Sequence, residues 1–81
     1  MGQRVRVGIV GLGEVAQLIH LPVLESLADR YEVGAICDVS PGLVDFVGRR
    51  YGIPKDARYG EAADLAAQPD LDAVLVLSSD E

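Results

Sequence analysis

Three short apolar runs, Val5–Val10, Val33–Cys37 and Ala73–Leu77, set the tightest limit on how this 81-residue chain folds. Each is rich in Val, Ile and Leu and is bounded by Gly, Asp or Ser. A strand with one face in water alternates apolar and polar residues. A near-continuous apolar run belongs instead to a strand buried on both faces, as in a parallel sheet covered by helices. The segments between the runs carry a helical period. From Glu14 to Asp29, the residues Val15, Leu18, Ile19, Val23, Leu24 and Leu27 recur at that spacing. Pro22 lies inside the pattern without a backbone N–H and predicts a break or kink near His20–Pro22. Ser40 and Pro41 predict the next helix start, as N-cap and first helical residue. Leu43, Val47 and Tyr51 fall on one face of it with Phe46 beside them, and Gly52 is its stop. Ala57–Tyr59 reads as a short third strand, and Glu61–Gln68 as a short helix ended by Pro69. Such alternation requires parallel strands joined by right-handed crossovers.

Composition narrows the function. With 7 basic and 13 acidic residues the formal charge is −6, which excludes a non-specific nucleic-acid binder, since that needs a basic stripe to displace phosphate counterions. A nucleotide cofactor is not excluded, because backbone N–H groups hold its phosphates. The single Cys37 cannot form an intrachain disulfide or a multi-cysteine zinc site, and the acidic residues after position 60 lack metal-ligand spacing, so no metal is expected. Arg4 and Arg6 precede an apolar stretch, but Gly8, Gly11, Gly13 and Glu14 interrupt it before it becomes a signal peptide. Arg6 also stands where myristoylation favours Ser or Thr. No run approaches a membrane span. The expectation is a soluble, cytoplasmic chain with neither nucleic-acid nor membrane partners.

The chemistry sits in Gly11-Leu12-Gly13-Glu14-Val15-Ala16, at the junction of the first strand and first helix. In Gly-x-Gly-x-x-Ala the first glycine permits the tight turn and the second lets a pyrophosphate approach the backbone. The alanine lets the helix pack closely on the strand. The helix start then offers free N–H groups and a positive dipole end to an anion. Asp38 closes the second strand about 20 residues further on, where an acid accepts hydrogen bonds from a ribose. Its charge opposes the 2′-phosphate of NADP, and no Arg or Lys follows until Arg49, so NAD is favoured over NADP. The fold class expected is therefore α/β, a partial Rossmann-type parallel sheet of strand order 3-2-1-4 flanked by helices, with residues 1–81 as one dinucleotide-binding unit.

Gly11–Ala16, followed by His20-Leu21-Pro22-Val23-Leu24, resembles the N-terminus of the glucose–fructose oxidoreductase/inositol dehydrogenase/MocA (Gfo/Idh/MocA) family. Ile36-Cys37-Asp38, Tyr51-Gly52-Ile53-Pro54 and Asp70-Leu71-Asp72-Ala73-Val74 extend the resemblance over nearly the whole chain. It implies an enzyme that oxidises or reduces a sugar, polyol or related CH–OH compound by hydride transfer with NAD or NADP. The cofactor contacts it implies are Gly11, Leu12, Gly13, Glu14, Val15 and Asp38, with Ser78 and Ser79 lining the site after the last strand. The family usually has a Thr-Pro-like pair there, from which Ser78-Ser79 departs. The family's Glu-Lys-Pro motif and its substrate domain have no counterpart up to Glu81, so no catalytic residue is assigned.

The other conspicuous residues have plainer readings. His20 falls in the first helix region as a structural residue, and Cys37 is a buried inert thiol. Tyr31, Tyr51 and Tyr59 are packing residues, and Arg49-Arg50 is a solvated helix end. The last strand, 72–77, should lie beside the first with a bare outer edge, which promotes strand addition. A truncated chain that pairs through this strand into a homo-oligomer is the expectation. Two alternatives stay open: a non-catalytic dinucleotide-sensing or interaction module, and a methyltransferase-like half-domain, which also uses a glycine-rich first turn.

Overall fold

A computed structural model describes residues 4–77 and shows a four-stranded parallel sheet of order β3-β2-β1-β4. The strands are β1 (Val5–Val10), β2 (Tyr31–Cys37), β3 (Arg58–Tyr59) and β4 (Ala73–Val76). The expected order is thus the observed one. β1 pairs along its length with β2 and over Val7–Val10 with β4, and Val7 and Ile9 are buried to 3% and 0% exposure. β3 is only two residues long and pairs with Ile36 and Cys37, so the first part of β2 has no neighbour on that side among the described residues.

The first helix corrects two expectations. Of the break or kink expected near His20–Pro22, the break is absent and a local widening takes its place. Glu14 to Ser26 is continuously helical, with a π-turn at Ala16–His20 that runs into α1 (Leu21–Ser26). The N–H of Leu21 donates to the Ala16 carbonyl, five residues back rather than four. That wider turn accommodates the ring of Pro22 and its missing donor with the backbone still in the helical region. The helix also stops at Ser26, three residues short of Asp29, and Leu27–Arg30 forms the turn into β2. Its buried face is narrow. Ala16 and Leu21 are the fully buried residues, whereas Val15, Leu18, Ile19 and Val23 are each at least half exposed. Periodicity located the apolar stripe correctly, but the stripe is wider than the sheet beneath it.

Helix α2 (Pro41–Tyr51) follows the sequence closely. The Ser40 hydroxyl accepts the Leu43 N–H at 3.4 Å, and Gly52 ends the helix at φ +68°, a conformation that favours glycine. Val47 is fully buried, but Phe46 is 54% exposed and does not join the buried face. Helix α3 (Ala62–Ala66) buries Leu65 alone. The core therefore has two parts. Val7, Ile9, Leu12, Ala16, Leu21, Ile36, Val47 and Ile53 pack together with the first two helices, while Ala35, Cys37 and Leu65 pack beneath α3. Tyr31 and Tyr51 pack against the first group and Tyr59 against the second. Arg49 pairs with Asp45 at 3.1 Å on the exposed end of α2. No helix among the described residues is long and apolar enough to cross a membrane.

Candidate functional site

The glycine turn forms where β1 leaves the sheet at its carboxyl end. Gly11 is buried, with φ +97°, a conformation that L side chains rarely adopt. Its N–H still donates to the Cys37 carbonyl at 2.9 Å, tying the turn to the end of β2. Leu12 is fully buried in the core and anchors the turn from below. Gly13 is exposed, and a Cβ built on it meets nothing within 4 Å. The chain reverses under open space at Gly13, where a bound group can lie directly against the backbone. Ala16, buried to 1%, seats the helix start in the core.

Asp38 spans the two loops. Its Oδ2 accepts the Leu12 N–H at 2.7 Å, and its Oδ1 accepts the Ser40 N–H at 2.8 Å. One carboxylate thus holds the glycine turn of the first strand and the helix-start turn after the second. Each oxygen keeps a further lone pair for another donor. Val39, next to it, is 90% exposed, and a hollow of about 230 Å³ opens beside it toward Pro41, Val44 and Tyr59.

The Leu12 amide is engaged by Asp38 and is not open to a ligand; Leu12 acts through its anchoring side chain. No protein acceptor meets the N–H groups of Gly13, Glu14 and Val15 among the described residues. The structure therefore brings Gly11, Leu12, Gly13, Glu14, Val15 and Asp38 to one end of the sheet. Ser78 and Ser79 lie outside the described residues. Sequence reasoning missed Gln17, whose side-chain amide donates to the Leu12 carbonyl at 2.7 Å. A polar residue one turn into a helix gives no local sign that it reaches back over the turn before it.

Two other features are set apart from this site. A cleft of about 760 Å³ runs along the unpaired part of β2 past Arg6, Glu32, Tyr51 and Asp70, and it touches no residue of the glycine turn. Within it Arg6 pairs with Glu32 at 3.0 Å and with Asp70 at 3.2 Å. Cys37, adjacent to Asp38 in sequence, is buried to 2%. Loss of water around its sulfur pushes the thiol pKa up, and the charges of Asp38, Glu61 and Asp64 push it further. We expect no alkylation of Cys37 by iodoacetamide in the folded chain at pH 8 and rapid alkylation in urea. Because the folded thiol holds its proton longer than the unfolded one, stability should fall as pH rises above the ordinary thiol value of about 8.5. Rapid labelling under native conditions would contradict the buried placement.

Comparison with known proteins adds the decisive observation: the Gfo/Idh/MocA oxidoreductase family, characterised by an NAD-binding Rossmann fold, matches residues 5–81. The chain belongs to this family. It is 33% identical to the dehydrogenase aclE of Aspergillus oryzae, covering 94% of this chain and 22% of that protein. The WlbA dehydrogenase of Chromobacterium violaceum, solved with NADH and UDP-GlcNAcA, is 31% identical with a TM-score of 0.82, over 95% of this chain and 21% of the other. A 3-ketoreductase from Actinomadura kijaniata, solved with NADP and TDP-benzene, is 28% identical with a TM-score of 0.77, over 89% and 21%. The chain thus spans about a fifth of the length of these relatives. The match is to the NAD-binding Rossmann fold of that family, which removes the methyltransferase alternative. Its relatives include proteins solved with NADH and with NADP.

Proposed function

We propose that this chain holds the cofactor of an NAD-dependent Gfo/Idh/MocA enzyme that transfers hydride to or from a sugar, polyol or related CH–OH compound. In this reading the pyrophosphate lies over Gly13, hydrogen-bonded by the N–H groups of Gly13, Glu14 and Val15. Asp38 accepts from the adenosine ribose hydroxyls with its remaining lone pairs, and exposed Val39 gives the adenine an apolar surface. Bound NAD supplies the hydride acceptor; the residues here bind and orient it. No residue described here is assigned the substrate's acid–base chemistry.

The observation that carries the reading is the exposed, unobstructed Gly13 beside a carboxylate that already bridges the two loops. The same carboxylate favours NAD. A 2′-phosphate would meet the Asp38 charge, and Arg58, a nearby cation on the wall of the adjoining hollow, is occupied by the Ile53 carbonyl at 3.0 Å and by Asp45 at 3.6 Å. Calorimetric titration with NADH and NADPH tests it. Saturable binding with NADH the tighter ligand is expected; equal or tighter NADPH would overturn the NAD preference, and no binding by folded protein would overturn the site.

The chain also pairs with a second copy through β4 in this reading. Val74 and Val76 are 38% and 68% exposed, and β1 is the strand's single partner in the described sheet. Light scattering after size exclusion should give a dimer mass for this chain at high concentration. A monomer throughout would eliminate the pairing.

A further inference from the structure

Gln17 bears on the glycine turn through its side chain, and nothing in the motif requires glutamine at that place. Its Nε2 donates to the Leu12 carbonyl at 2.7 Å, and its backbone N–H donates to the Gly13 carbonyl at 3.0 Å. The amide orientation is dictated by the partner, because a carbonyl oxygen accepts and only the NH2 end of the side chain donates. Carbonyl and N–H point in opposite directions across a trans peptide. Holding the Leu12 carbonyl toward the helix therefore aims the Gly13 N–H the other way, where no backbone acceptor meets it among the described residues. The backbone bond does the same for the Glu14 N–H, as any helical bond would. On the other side of Leu12, Asp38 takes its N–H at 2.7 Å. Leu12 is thus held at both its polar atoms, with its side chain fully buried.

From this arrangement we infer that Gln17 is a positioning residue for the cofactor pyrophosphate: its side-chain amide fixes the Leu12–Gly13 peptide so that the Gly13 N–H faces the phosphate before the ligand arrives. The inference rests on the dinucleotide reading above. It differs from a packing role, because Gln17 is only partly buried and its amide bonds a backbone carbonyl rather than filling the core. Pre-orientation removes an ordering cost from binding, so its loss appears in affinity for pyrophosphate-bearing ligands in particular.

The test compares the wild type with Gln17→Met and Gln17→Glu in the protein that carries this chain. Methionine keeps the length without a donor, and glutamate keeps the shape but sets a carboxylate against the Leu12 carbonyl. NADH, NADPH and ADP-ribose should each bind about three- to tenfold more weakly to Gln17→Met, the equivalent of one hydrogen bond, and weaker still to Gln17→Glu. The NADH-to-NADPH ratio should hold, since Asp38 is intact, and the affinity for adenosine, which has no pyrophosphate, should not change. In the ligand-free protein the Gly13 amide resonance should move in both variants. Equal weakening of adenosine, or unchanged affinity for the three pyrophosphate ligands, would overturn the positioning role. A wild type that binds none of the three overturns the cofactor reading itself, an outcome distinct from a variant that binds as the wild type does.

Discussion

Replacing Asp38 with alanine should abolish measurable NADH binding and destabilise the domain by about 2–4 kcal/mol. The second figure follows from two hydrogen bonds to a charged acceptor, each typically about 1.5–3 kcal/mol, reduced because the group is partly exposed. A domain of this length holds only about 4–12 kcal/mol in total, and the loss corresponds to roughly 10–25 °C in Tm. Both effects have one origin. The carboxylate that would hold the ribose is the same one that ties the glycine turn to the turn before α2, so removing it frees the Leu12 and Ser40 amides together. Asp38→Asn separates the two roles. Its amide oxygen keeps one acceptor for the loops, so stability should recover in part. The lost charge should raise the affinity for NADPH relative to NADH. Calorimetry and thermal unfolding read the two effects on the same samples. An Asp38→Ala variant with wild-type Tm would show that the latch is energetically idle, and one with wild-type NADH affinity would remove the ribose role.

The largest effect away from the site belongs to Leu65. It is the one buried residue of a five-residue helix and the bulk of a small core whose other buried members are Ala35 and Cys37. It sits against Gly8 of β1 so closely that a Cβ there would come within 2.7 Å of its Cδ2 and 2.9 Å of the Leu71 Cδ1. Leu65→Ala should cost about 3 kcal/mol in urea unfolding, since little else can move into the space. Gly8→Ala should cost about 1–3 kcal/mol by overpacking. The two are coupled. In the double variant the Gly8 methyl occupies volume that Leu65 has vacated, so the combined loss should fall short of the sum by about 1 kcal/mol. Strict additivity would mean that α3 does not lie on β1 as described.

Much of this architecture is legible along the chain because it is set by near neighbours. The apolar runs at Val5–Val10, Val33–Cys37 and Ala73–Leu77 match strands to within two residues at either end. Ser40 and Gly52 mark the ends of α2, because a capping hydroxyl and a left-handed residue act within one turn of themselves. The strand order follows from the Rossmann-type reading of the glycine turn and Asp38, and it is the order observed. Gly11, Gly13, Ala16 and Asp38 come together because that order places the ends of β1 and β2 side by side.

Other features needed the folded molecule because they depend on groups far apart in the chain, or on a choice among local alternatives. Pro22 announces trouble for a helix, but whether the helix breaks or widens is settled by the anchorage of Ala16 and Leu21 in the core on either side of the π-turn. The apolar stripe of the first helix does not say how much of it the sheet can cover, and Leu18 is left 71% exposed. Nor does Asp38 advertise that its carboxylate is bound to an amide 26 residues earlier. Such pairings are chosen by the packing that brings two backbones within hydrogen-bond reach. Elements and their order come from local propensity and chain connectivity; the clamp on the glycine turn, made by Asp38 from one side and Gln17 from the other, comes from tertiary distance.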